Sequence, residues 1–145
     1  MATTLSIAEV ISETVRKKTK EEKIKYLREH NSTELRNIFI LTYDKGFELR
    51  LPKSVPPYKQ SELEENRGLL YREARKLKYF VAGNQAGDNL DKIKIESLFI
   101  QMLENVHRED AVVLEHLVMR KPFKGLTAAI INEAFGEIIK GKQEN

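Results

Sequence analysis

Three helix-start signatures in the first 34 residues constrain the fold more than any other feature of the chain. Ser6 with Glu9, Thr19 with Glu22 and Asn31 with Glu34 each place a short polar side chain three residues ahead of a glutamate. That is the reciprocal arrangement that satisfies the free N–H groups of a helix's first turn. Each signature is followed by apolar residues at helical spacing: Ile7, Val10, Ile11 and Val15, then Ile24 and Leu27, then Leu35, Ile38, Phe39 and Leu41. The spacing predicts a helix from Ser6 to about Lys17 and a second, short one opening at Thr19. A third reaches Tyr43, with Gly46 taking the left-handed conformation that stops it.

Between Phe47 and Lys59 the helical pattern stops, because Pro52, Pro56 and Pro57 would break a helix. The segment still carries Phe47, Leu49, Leu51, Val55 and Tyr58, so it is expected to lie against the helices; Phe47 to Leu51 alternates and reads as a possible short strand without a partner. A long helix is expected from about Leu63 to Val81, closed by Gly83, then a polar connector over Asn84 to Asn89. A fifth helix carries Ile93, Ile95, Leu98, Phe99, Met102, Leu103 and Val106, a sixth starts near Asp110, and a seventh runs from Thr127 to Phe135 before Gly136. The expected fold class is therefore all-α: about seven helices in one compact orthogonal bundle over 1–139, with a proline-rich central loop and a polar tail over 140–145.

Composition narrows the function classes. At 145 residues and 41% apolar the chain suits one self-folding domain. It has no cysteine, which excludes disulfides and thiolate metal sites and fits a cytoplasmic setting; His30, His107 and His116 are too scattered to suggest a metal site. No apolar run approaches a membrane span and the start lacks the pattern of a secretion signal, so no membrane partner is expected. Phosphate-loop, dinucleotide, zinc-protease and serine-hydrolase motifs are all missing. The pairs Glu64/Glu65 and Glu109/Asp110 suit solvation or capping better than acid–base work. The chain is read as a non-enzyme without cofactors, and His116 as a partly buried structural histidine.

The sharpest local feature is Arg120-Lys121-Pro122-Phe123-Lys124-Gly125-Leu126-Thr127, three cations around a glycine just ahead of a helix. The first N–H groups of a helix lack internal partners and carry the positive end of its dipole, so an anion docked there is stabilised. On this reading Arg120, Lys121 and Lys124 neutralise phosphates, Gly125 lets a backbone come close and Thr127 adds a hydroxyl. The competing reading is a plain helix-to-helix turn with Thr127 as N-cap. Lys18, Lys20, Arg75 and Lys78 are possible further basic contacts. The aromatic residues, with Tyr58 and Tyr71 as the exceptions, fall at core spacings that do not suit single-strand stacking.

Two blocks carry a resemblance. Leu41-Thr42-Tyr43 with Gly46 soon after, and Asp110-Ala111-Val112-Val113-Leu114 through Val118-Met119-Arg120 to Gly125 and Gly136, resemble the N-terminal DNA-binding domain of the ATP-dependent DNA ligases of T-even-type bacteriophages. The chain is also similar, over nearly all its length, to short tailed-phage proteins of unassigned function, which share the patterns at Leu51 to Tyr58, Leu70 to Phe80 and the turn at Pro122 to Thr127. The ligase resemblance implies an all-helical domain gripping duplex DNA through the minor groove, in part through Arg120, Lys121, Lys124, Gly125, Leu126 and Thr127. The Lys-x-Asp-Gly nucleophile motif of a ligase is absent. Two expectations follow: a phage DNA-binding accessory protein with little sequence preference, or an adaptor docking on replication or transcription machinery through Leu51, Pro56, Pro57 and Tyr58.

Overall fold

A computed structural model describes residues 5–51 and 54–140. Among these lie seven α-helices, α1 (Ile7–Arg16), α2 (Lys20–Glu29), α3 (Thr33–Tyr43), α4 (Leu70–Glu73), α5 (Lys92–Asn105), α6 (Arg108–Met119) and α7 (Ala128–Phe135). The all-α class follows, with no β-strand among the described residues. Pro52 and positions 141–145 of the expected tail lie outside the described residues.

The capping signatures act largely as read. The Ser6 hydroxyl accepts from the Glu9 N–H (3.2 Å) while the Glu9 carboxylate accepts from the Ser6 N–H (2.9 Å), and Thr19 accepts from the Glu22 N–H at 3.1 Å. At α3 the cap is Ser32 and not Asn31: its hydroxyl reaches the Leu35 N–H at 3.1 Å, so the third helical position is a leucine. Gly46 does not adopt positive φ; its N–H instead donates to Asp44 Oδ1 at 2.8 Å, a side-chain turn that replaces the glycine stop.

The expected helix from Leu63 to Val81 is broken. A 3-10 turn at Glu64–Asn66 leads to Gly68 at φ 89°, then the single turn α4, then a 3-10 run over Ala74–Phe80. The buried residues of that run, Ala74, Leu77 and Phe80, recur every three positions, which is the period of a 3-10 helix. Leu49 and Val81 form an antiparallel bridge, with Arg50 N–H donating to Phe80 O (2.6 Å) and Ala82 N–H to Glu48 O (2.8 Å), so the Phe47 to Leu51 segment does find a partner. Gly83 closes the run at φ 88°.

α2 packs on α7, α3 and α5 on α6, and α1 on both α2 and α6. Phe39, Phe80, Phe99, Met102, Leu103 and Leu114 are fully buried, with Phe80 edge-on to Phe99 at 5.5 Å. Ile93, expected in the buried face of the fifth helix, is 78% exposed, because it falls on the helix face of the exposed Ser97, Gln101 and Glu104, away from the buried Ile95, Phe99, Met102 and Leu103. α6 starts two residues before the expected Asp110, since His107 caps it by accepting from the Glu109 N–H at 3.1 Å. Asp110, relieved of capping, is fully buried, and its Oδ1 accepts the Ala8 N–H of α1 at 2.9 Å. The neighbouring carboxylate Glu109 turns outward to Arg67 (2.8 Å), which also holds Glu64.

Candidate nucleic-acid interface

The turn between α6 and α7 is pinned from inside. Arg120 ends α6 in the left-handed conformation at φ 56°, and the Lys121 N–H closes back on His116 O at 2.9 Å. The His116 ring stacks on Phe123 with centroids 4.4 Å apart, the structural role expected for a partly buried histidine. Phe123 and Leu126 point inward, and Tyr43 of α3 ties both: its hydroxyl accepts the Phe123 N–H at 2.8 Å and donates to Leu126 O at 2.6 Å. Burial pushes the Tyr43 phenol up to about 12, so it remains a donor throughout the neutral range.

With its two apolar residues held below, the turn presents Lys121, Lys124, Gly125 and Thr127 to solvent. Gly125 sits at φ 86°, a conformation that L side chains rarely adopt. Thr127 caps α7 by accepting from the Ile130 N–H at 3.3 Å. Cap and possible anion contact thus coincide in one hydroxyl.

The residue that sequence spacing did not single out for this site is Lys23. Its ammonium donates to the Gly125 carbonyl at 2.6 Å, which draws the start of α2 against the turn. The only sequence signal was its membership of the basic run from Arg16 to Arg28; a contact across 102 positions leaves no local pattern. Lys18 is exposed nearby in sequence, whereas Lys20 pairs with Glu133 of α7 at 3.0 Å and Arg28 donates to the carbonyls of Glu133 and Ala134. The Arg28 bonds place a cation at the negative end of α7.

Other candidates lie elsewhere. The Arg120 guanidinium faces the end of α3, donating to the carbonyls of Asp44 and, at 2.7 Å, Phe47, and burial lowers its pKa from the ordinary arginine value. Leu126 is 1% exposed and belongs to the core. Arg75 and Lys78 line a separate hollow between α3 and the 3-10 run. In the proline loop Leu51 is buried, Pro56 half-buried and Pro57 exposed. Tyr58, half-buried, donates to Glu115 of α6 at 2.5 Å; burial first and then this bond push its phenol up to about 12. Lys59 N–H donates to Glu104 of α5 (2.9 Å) and Arg108 N–H to Ser61 O (2.8 Å), so the loop is strapped across α5 and α6. Tyr71 likewise donates inward, to Leu5 O at 3.0 Å.

The model of a family of unknown function (DUF6433) matches residues 10–122. The chain belongs to that family. The DUF6433 match runs from within α1 to just past α6, so Arg120 and Lys121 lie inside it, while Lys124, Gly125, Leu126 and Thr127 follow it. No curated protein and no solved structure matches this DUF6433 chain. Among its described residues no three His, Asp or Glu side chains converge in a way that holds a metal ion, and no helix is long and apolar enough to cross a membrane.

Proposed function

We propose that this DUF6433 protein is a non-catalytic accessory protein of a bacteriophage that binds duplex or nicked DNA through the phosphate backbone with little sequence preference. The observation that carries the reading is the Lys23–Gly125 bond, which brings one cation of α2, whose first turn also carries Glu21 and Glu22, to a turn exposing Lys121, Lys124 and Thr127 at the head of α7. Such a cluster neutralises phosphates without reading bases. The resemblance to the ligase DNA-binding domain supports the same reading, with Lys23, Lys121 and Lys124 as the charged contacts, Gly125 and Thr127 as the close approach, and Arg120 and Leu126 as the residues that hold the turn.

The adaptor reading has less to work with. Leu51 is buried and Tyr58 is bonded to Glu115, which among the described residues from Leu51 to Tyr58 leaves Pro57 as the exposed apolar one. Fluorescence anisotropy with labelled duplex, nicked duplex and single strand separates the two. The DNA reading expects duplex binding that weakens in a Lys121→Glu, Lys124→Glu double variant; no binding to any of the three at low salt would remove it.

A further inference from the structure

A second surface is independent of the DNA reading. Between α3 and the 3-10 run over Ala74–Phe80 lies a hollow of about 450 Å³, floored by Ile40, Leu41 and Leu77 and flanked by the 41% exposed ring of Phe47. Arg75 and Lys78 stand exposed along one wall, with no carboxylate partner among the described residues, and Glu34 is the one acid on the opposite wall. An apolar floor beside cations that no described carboxylate holds, with Lys78 lying over the Tyr79 ring at 5.5 Å, fits an apolar side chain flanked by carboxylates.

The same chain presents such a group. Leu63 is 57% exposed between Glu62, Glu64 and Glu65, all exposed. Glu64 is held by Arg67 at 2.6 Å and Glu62 lies 3.6 Å from Arg108, while Glu65 has no basic partner among the described residues. None of these four residues lines the hollow in their own chain. We infer that the hollow receives Leu63 of a second copy, with Glu65 of that copy against Arg75 and Lys78. The contact joins two different patches, so it either closes a ring or pair or continues as an open chain.

A knob of this size buries well under the roughly 1,200 Å² of a stable interface, so association belongs in the range of about 10 µM to 1 mM. Sedimentation velocity of the full chain across that range tests it. The mean mass rises with concentration and falls back with added salt. Leu63→Ser weakens association about tenfold by removing the apolar knob. Lys78→Glu and Glu65→Lys each weaken it about threefold, and their combination restores it. Circular dichroism checks that each variant remains folded. A monomer at every concentration overturns the inference, as does association untouched by Leu63→Ser or charge reversals that fail to rescue each other. If Lys78→Glu instead lowers duplex affinity and leaves the mass unchanged, the hollow belongs to the DNA interface and the inference falls.

Discussion

Replacing Asp110 by asparagine probes the junction between α1 and α6 through its pH dependence. The carboxylate is fully buried, one oxygen holds the Ala8 N–H at 2.9 Å, and the other has no hydrogen-bond partner among the described residues. Burial raises its pKa from 3.8 to about 6, against the smaller lowering effect of the Ala8 bond. Between those values the folded state holds a proton that the unfolded chain has lost, so the group's contribution to stability is full below pH 4 and is lost as pH rises through 6. A shift of about 2 units corresponds to about 3 kcal/mol in all, of which about 2 kcal/mol falls between pH 4.5 and 7.5.

Asp110→Asn keeps the acceptor for Ala8 and removes the titration; any offset from burying its amide is the same at both pH values. Urea unfolding of the two proteins at pH 4.5 and 7.5 therefore reads the difference cleanly. The variant gains about 2 kcal/mol relative to wild type on going to pH 7.5. The surface carboxylates Glu64 and Glu109, lowered chiefly by hydrogen bonds from Arg67, act oppositely but are common to both proteins and cancel. A stability difference that does not change with pH would refute the reasoning.

Tyr43→Phe removes the two Tyr43 bonds to the α6–α7 turn and strands a buried N–H and carbonyl; a loss of about 1–3 kcal/mol in urea unfolding is expected, together with weaker duplex binding. Arg120→Lys cannot span the carbonyls of Asp44 and Phe47 with one ammonium, so it destabilises by about 1–2 kcal/mol. Because that side chain faces away from the exposed turn, duplex affinity of the folded variant stays within about twofold of wild type.

The parts of the fold legible in sequence are those fixed by neighbours. Capping by Ser6 and Thr19 needs only residues three positions apart, and both hydroxyls cap as expected; Thr127 also caps, as the plain-turn reading of its segment had it. The stretch from Leu63 to Val81 misled because apolar spacings of three and four satisfy an α-helix on paper, while Gly68 at φ 89° and the three-residue recurrence of Ala74, Leu77 and Phe80 select shorter 3-10 segments. In the candidate site, charge and the ligase resemblance grouped Arg120 with Lys121 and Lys124. The left-handed turn at Arg120 swings its side chain back to α3, an outcome of backbone geometry that composition does not carry. Lys23 was missed for the converse reason, being brought to Gly125 only by the packing of α2 on α7.

The proposed function rests on phosphate neutralisation by Lys23, Lys121 and Lys124, and the slope of duplex affinity against salt counts those phosphates directly. Wild-type log K should fall linearly with log salt, and the triple variant with glutamine at these three positions should show a slope shallower by about 0.9 for each phosphate no longer neutralised. Equal slopes for the two proteins, or affinity indifferent to salt, would contradict it.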